Sequence, residues 1–232
     1  MLAERKTHII KLFLVCVLAT AGNMFLILTD PPRLPLFLDT VFTVAVTFAL
    51  GFFPGLAVAV LTWTAAAVRW AIHAWMTDGV RWAFDFHPFI IVAIIEVLLV
   101  HKLRPIDSAG QNRPVRFASL PEKKLLSFVG IFVRLLLVYG VCVVVISVTG
   151  GIIDFVNHTV SGAERLSYYN AIHALRMAFL QREIPILGAN IFARIQINMA
   201  DRFIVIFGGY LVSLGIRKVF RRKKANDETM VH

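Results

Sequence analysis

Four ionisable residues interrupt long apolar stretches of this sequence: Asp39, Arg69, Glu96 and Arg134. An ionised group among apolar neighbours loses its hydration, so it persists only where a partner, a ligand or a chemical task offsets that cost. Glu96 and Arg134 are flanked by apolar residues on both sides, and an ion pair between them would lock two helices together. Asp39 and Arg69 are nearer to polar segments, where a ligand would enter.

A second group combines aromatic and basic residues within 63–82, which holds all four tryptophans. Arg69 and His73 are four residues apart and Trp63 and Trp70 are seven apart, so on a helix the members of each pair share a face. Indole rings beside a cation suit a planar or anionic small molecule through stacking and charge. The alternative is an aromatic belt at a membrane–water interface, which requires no ligand. For Trp63 and Trp70 both interpretations stay open.

Signatures of catalysis and metal binding do not occur in the sequence. It contains no HExxH or CxxC pair, no GxSxG nucleophile motif and no glycine-rich nucleotide loop. We therefore expect a protein that is not an enzyme, holds no metal or cofactor and does not itself hydrolyse ATP. A lipid-modifying membrane enzyme would need a catalytic constellation that is not visible here.

The composition is that of a membrane protein, with 58% hydrophobic and only 16% charged residues in 232. A soluble domain could not cover so much apolar surface with so few charges, whereas a bilayer solvates it directly. We therefore expect one all-α integral membrane domain over residues 1–232, with Cys16 and Cys142 as small core residues.

Apolar runs and helix breakers predict a compact bundle of six membrane-spanning helices. Pro31-Pro32, the turn 51–55 and Gly150-Gly151 separate neighbouring runs. The first run also resembles a signal peptide, but it is long enough to span, and we expect a retained helix. The expected spans are 9–28, 36–50, 56–75, 88–101, 125–148 and 203–216.

The basic residues predict the orientation. Fifteen of the 24 Lys and Arg residues lie in the N-terminal segment, the polar loop 102–124 and the tail 217–232. With both termini in the cytoplasm, six spans place all three segments inside, as the positive-inside rule requires. We expect a multi-pass protein of the cytoplasmic (inner) membrane of a prokaryote. No basic surface with aromatic or polar readers indicates a nucleic-acid partner.

The segment 151–200 is expected on the outer side. Its apolar stretches 166–180 and 184–197 are short and carry arginines. They predict interfacial or re-entrant helices before the last span. A hairpin of two further spans is the alternative, because it would leave the positions of the basic segments unchanged.

Two segments resemble one broad group of substrate-capture subunits of energy-coupling-factor importers. The run Leu36–Thr43, the turn Gly51–Gly55 and Thr62 resemble the group's F-D-T-x-x-T, G-P-x-x-G and T pattern. Asn198–Arg202 followed by Tyr210 resembles the D-K/R pair that opens helix six of these subunits.

The resemblance implies six helices, a small-molecule site that opens outward and no ATPase of the chain's own. It also implies a transmembrane coupling protein and two cytoplasmic ATPases as partners, in addition to membrane lipid. Asp39, Thr40 and Thr43 would lie near the outer end of helix two, and Asp201 would open helix six.

We therefore expect a subunit that captures a vitamin-like micronutrient for ATP-driven uptake. The alternative is a membrane sensor or assembly factor that uses the same helical scaffold to bind a ligand or a protein partner. The residues expected to contact the substrate are Asp39, Thr43, Arg69, Trp70, His73 and Asp201.

Overall fold

The computed structural model describes residues 2–29, 38–77, 88–105, 122–161 and 170–228, and every regular element in these ranges is helical. An all-α fold is therefore confirmed for the part of the chain that is described. The elements in chain order are α1 (Leu2–Thr29), a 3-10 turn (Leu38–Thr40), α2 (Val41–Leu50), α3 (Phe52–Thr77), α4 (Phe89–Leu103), α5 (Glu122–Ser161), α6 (Asn170–Leu180), α7 (Ile186–Phe203), a π-turn (Ile204–Gly208) and α8 (Gly209–Glu228).

Four helical segments are long and apolar enough to cross a bilayer: Lys6–Thr29, Phe52–Arg69, Phe128–Val156 and Ile186–Phe220. They support the membrane-protein class. The helices α2 and α4 have 10 and 15 residues. At the helical rise they measure only about 15 and 22 Å, shorter than a hydrocarbon core of about 30 Å.

Helix α2 lies at the centre of the bundle. All its residues from Thr43 to Ala49 are buried, and it packs against α1, α3, α4 and α8. The largest apolar core cluster surrounds Val44 and Phe48 of α2 and includes side chains of α4, α5 and the π-turn. A helix enclosed on all sides can be apolar around its whole circumference, and Thr43 and Thr47 are the only polar side chains of α2.

The turn between α2 and α3 is shorter than the expected 51–55. Gly51 alone makes it, with φ of +99°, a conformation that glycine adopts without steric cost. Helix α3 then begins at Phe52, so Gly55 is already inside a helix. A Cβ at Gly55 would collide with Thr47, and the missing side chain therefore allows α2 and α3 to lie close together.

The expected end of the fifth span at Gly150-Gly151 is wrong, because α5 continues to Ser161. These glycines provide room for α7. A Cβ on Gly151 would lie 2.9 Å from the Cα of Ile191, and one on Gly150 would lie 2.9 Å from Arg194 Nη1. Glycine is about 1 kcal/mol less favourable than alanine inside a helix. Where two helices pack closely within a membrane, the gain from that packing outweighs this cost.

The expected separation between a re-entrant helix at 184–197 and a last span at 203–216 is also wrong. Helix α7, the π-turn and α8 follow one another without a break from Ile186 to Glu228. Helix α6 is the only short segment of this region among the described residues, and it packs on α7 after the turn at 181–185. Asp201 therefore lies inside a long helical segment and does not open one.

Candidate functional site

Helix α7 is polar on its buried face and apolar on its exposed face. Asn190, Arg194 and Asn198 recur at intervals of four residues, and Asp201 and Arg202 follow one turn later; all five are buried. Phe192, Met199 and Phe203 of the same helix are exposed. This reversal of the pattern of soluble proteins is what a bilayer favours, since lipid solvates apolar side chains and polar ones must find partners inside.

Helix α5 supplies partners for two of these residues. Arg194 forms a two-point ion pair with Asp154, with Nε to Oδ2 at 2.5 Å and Nη2 to Oδ1 at 2.9 Å. Asn198 Nδ2 donates to Ser147 Oγ at 2.9 Å. The two helices run antiparallel, because residue numbers rise along one and fall along the other. The Asp154–Arg194 pair is the geometry in which arginine and carboxylate bind most strongly.

Arg202 is the centre of a cluster of polar and ionisable groups from three elements, called here the Arg202 cluster: Asp39, Thr40, Glu96, Asp201 and Arg202. The guanidinium donates through Nε to Asp201 Oδ2 at 2.8 Å and through Nη1 to Thr40 Oγ1 at 3.0 Å. Nη1 also donates to Glu96 Oε1 through a short hydrogen bond. Nη2 lies 2.5 Å from Asp201 Oδ2 and 3.9 Å from Asp39 Oδ1.

Burial within the cluster differs between its members. The side chains of Asp201, Glu96 and Arg202 are 0, 1 and 4% exposed, whereas that of Asp39 is 19% exposed. Glu96 and Asp201 each use one carboxylate oxygen on Arg202, and the second oxygens, Oε2 and Oδ1, have no hydrogen-bond partner among the residues that the structure describes. One guanidinium thus faces three carboxylates, a combination that leaves negative charge uncompensated when all three are ionised.

A π-turn follows the cluster directly. The backbone N–H of Ile204 reaches the carbonyl oxygens of both Ala200 and Asp201, and Tyr139 on α5 donates its hydroxyl to the carbonyl of Met199 at 3.0 Å. Single π-turns inside α-helices occur frequently at functional sites. Here the turn changes the register between α7 and α8 immediately after Arg202.

A second buried network joins α1, α2 and α3. Asn23 Nδ2 donates to Thr43 Oγ1 at 2.9 Å and to Thr62 Oγ1 at 3.2 Å, and Asn23 Oδ1 accepts the backbone N–H of Phe42. The three side chains are at most 2% exposed. Both threonines belong to the pattern that resembles the importer subunits, and in this structure they contribute to helix packing.

The aromatic residues form a short stack beside the Asp154–Arg194 pair. The guanidinium of Arg194 lies 4.9 Å from the ring centroid of Phe89, and Trp63 stacks on Phe89 with centroids 6.3 Å apart. Trp63 Nε1 is buried without a hydrogen-bond partner. This packing inside the bundle does not fit a lipid-facing belt position for Trp63, and its expected role in stacking on a ligand stays a prediction.

The structure brings together three of the residues singled out from the sequence: Asp39, Glu96 and Asp201. Thr43 belongs to the Asn23 network, about one turn from Thr40. Arg69 is exposed on α3. The side chains of Trp70 and His73 lie outside the described part of the chain, so their expected role as ligand contacts stays a prediction.

The expected partner of Glu96 was wrong. Glu96 binds Arg202 on α7 instead of Arg134 on α5, and the Arg134 side chain is exposed. The position of a charged residue along its helix could be predicted from the sequence. The direction in which its side chain faces around the helix axis could not. Arg134 points outward because α5 turns Leu135, Val138 and Cys142 toward the core instead.

Roles for Arg194, Asp154 and Asn23 were not predicted from the sequence, and Arg202 was named only as part of a motif. One signal for the α7 residues was available. Polar residues at intervals of four within an otherwise apolar segment predict a buried polar face of a membrane helix. For Asn23, a single amide in an apolar run, the sequence carries no comparable pattern.

Within the described residues, no group of three or more His, Cys, Asp or Glu side chains is arranged to hold a metal ion. Comparison with known proteins found no matching family model, no matching curated protein and no matching solved structure.

Proposed function

We propose that this chain is the substrate-binding membrane subunit of an importer of the energy-coupling-factor type. It captures a small micronutrient on the outer side of a prokaryotic inner membrane, and a separate coupling protein and two ATPases drive the uptake. The resemblance of two sequence segments motivates this proposal, and the Arg202 cluster is the structural feature that supports it.

The supporting observation is that these two segments, which are far apart in the sequence, meet in space. Arg202 of the second segment bonds to Thr40 and lies 3.9 Å from Asp39 of the first. Positions that merely matched a pattern by chance would not be expected to contact each other across 162 residues. Buried ionisable groups at membrane depth also mark functional sites more often than other positions do.

The proposed topology has six crossings, with both termini and the loop 102–124 in the cytoplasm. In it, α2 and α4 are both short crossings, and surrounding helices, not lipid, cover α2. Helix α2 is enclosed in this way, since Thr43 to Ala49 are all buried. Short helices whose ends are covered by protein are tolerated at membrane depth.

The proposed substrate contacts are Asp39, Arg69, Trp70 and His73. Asp39 is the most exposed carboxylate of the Arg202 cluster, and Arg69 is exposed near the end of α3. Thr43 and Asp201 are proposed to position these groups without touching the substrate, because both are buried in the bundle, where Thr43 bonds to Asn23 and Asp201 to Arg202.

A specific observation favours the alternative of a sensor or assembly factor. Thr40, Thr43, Thr62 and Arg202, four positions in or beside the resembling segments, all bind other residues of the chain. Such a set is equally suited to a rigid scaffold that presents its surface to a protein partner.

The two functions predict different sets of molecules that co-purify with the chain. We would purify the tagged chain from its native membranes in mild detergent and identify bound proteins and small molecules by mass spectrometry. An importer subunit is expected to co-purify with a coupling membrane protein, two related ATPases and a metabolite. A folded protein that brings none of these would contradict the proposal and favour the sensor or assembly factor.

Two exposed arginines provide a matched pair for the substrate site. Arg69→Ala is expected to abolish retention of the metabolite while the coupling protein is still recovered, because Arg69 is a proposed contact. Arg134→Ala, which removes an exposed arginine elsewhere on the bundle, is expected to retain both. Equal retention in the two variants would rule out the site assignment.

A further inference from the structure

The Arg202 cluster contains more acidic groups than its one arginine can compensate. Asp39, Glu96 and Asp201 all lie within 4 Å of the guanidinium, so with every group ionised the cluster would carry two negative charges. Ionised carboxylates that share a dry site repel each other strongly, and such a site relieves the repulsion by binding a proton.

The unpartnered oxygens agree with this imbalance. Glu96 Oε2 and Asp201 Oδ1 are buried and receive no hydrogen bond from the described residues, so within that part of the chain the guanidinium is the donor that stabilises these two anions. The described residues also offer no arrangement of three acidic or imidazole groups that would hold a metal ion. A proton needs neither a cavity nor a coordination shell.

The geometry distinguishes the three carboxyl groups. Glu96 and Asp201 are in direct hydrogen-bond contact with the guanidinium, and such contact favours the ionised form. Asp39 is 3.9 Å from Nη2, too far for a hydrogen bond. The start of α2 favours an anion at Asp39, but the two fully buried anions nearby act against it at close range.

We propose that the Arg202 cluster is a proton-binding site that holds one proton at neutral pH, carried by the carboxyl group of Asp39. The reaction is the transfer of a proton from a hydronium ion to an Asp39 carboxylate oxygen: one O–H bond of hydronium breaks, one O–H bond forms on the carboxyl group, and a water molecule is left. Asp39 is also the only member of the three carboxyl groups with appreciable exposure, at 19% against 1% and 0%, so it is the one that can exchange the proton. This inference does not depend on the importer function.

Groups from several elements face the proposed proton. The 3-10 turn contributes Asp39 itself, α4 contributes Glu96, and α7 contributes Asp201 and Arg202. Helix α5, which packs against α4, carries the buried Cys142 thiol. The proton on Asp39 is therefore coupled to the charges of Glu96 and Asp201. If either negative charge is removed, Asp39 should bind its proton less strongly and release it at a lower pH.

Infrared difference spectroscopy of the full chain in lipid nanodiscs tests the proposal. The protein would be compared at about pH 6 and about pH 9, unlabelled and with its aspartates carrying a 13C carboxyl group. We expect a protonated-carboxyl band at the lower pH that shifts on aspartate labelling and is lost at the higher pH. No such band at the lower pH, or a band that does not shift on aspartate labelling, would overturn the proposal, and this comparison needs no variant.

Two variants locate the proton. Asp39→Asn, an isostere of the neutral acid, is expected to fold and to lose the band. Glu96→Gln is expected to retain the band but to move its titration to lower pH, because one repelling charge is gone. A band that persists in Asp39→Asn, or a titration that Glu96→Gln leaves unmoved, would contradict the assignment to a coupled cluster.

Discussion

At the scale of single residues, Arg202 links elements that are far apart in the chain. Its one guanidinium connects the 3-10 turn, α4 and its own helix α7. Arginine suits this position because it stays charged at any physiological pH and presents several donors in a rigid plane. Losing one partner of a buried ion pair costs about 3–5 kcal/mol, since the remaining charge is left without compensation.

We expect Arg202→Met to lower the free energy of unfolding by at least about 3 kcal/mol. The reason is that Glu96 and Asp201 would remain buried without a cation. Reversible denaturation in mixed micelles measures the change.

Arg134→Met is the control, because Arg134 is exposed and substitutions of exposed residues usually change stability by no more than about 0.5 kcal/mol. Similar stability of the two variants would show that Arg202 is not the residue that holds these helices together.

At the scale of elements, the contact between α5 and α7 is made by small residues and buried polar pairs. Gly150 and Gly151 lie against Arg194 and Ile191, and the Asp154–Arg194 pair lies one turn further along. Lipid chains solvate apolar side chains as well as a protein core does, so close backbone approach and interhelical hydrogen bonds are what drive association of such helices.

We expect Gly151→Ala to destabilise the protein by about 1–3 kcal/mol, the range for overfilling a packed contact. The added methyl group would lie 2.9 Å from the Cα of Ile191, so one of the helices must shift. The midpoint of thermal unfolding in detergent reports the change.

Gly140→Ala is the matched control on the same helix, because a Cβ at Gly140 meets no atom within 4 Å. It should stabilise the helix by about 0.5–1 kcal/mol. If both variants behaved alike, the glycines would not be required for helix packing.

At the scale of the whole molecule, the number of crossings depends on α2 and α4. Four segments are long enough to span by themselves, and with these alone the loop 78–87 would lie in the cytoplasm. If α2 and α4 cross as well, the same loop lies outside. Both arrangements leave the termini and the loop 102–124 on the cytoplasmic side, so the basic residues satisfy the positive-inside rule in each.

A cysteine in the loop 78–87 separates the two topologies. With the proposed six crossings, Val80→Cys in intact cells should react with a membrane-impermeant thiol reagent, whereas Ser108→Cys should react only after the membrane is permeabilised. The native Cys16 and Cys142 are buried and add little background. Protection of both positions in intact cells would establish four crossings.

The sequence alone determined the class of this protein, its helical character and most of its apolar segments. These properties follow from local composition, because an apolar run needs a bilayer and a bilayer requires backbone hydrogen bonds to be made within the segment. Asp39, Glu96 and Asp201 were also found from the sequence, since charges within apolar runs stand out whatever their partners are.

Only the tertiary structure decided which of these charges meet. It paired Glu96 with Arg202 instead of Arg134, continued α5 through Gly150-Gly151 and joined the last two predicted segments into one helical run. Each outcome depends on how a helix is rotated about its axis and on which neighbour it approaches. Contacts between residues far apart in the chain set both, and neither local composition nor the spacing of single residues specifies them.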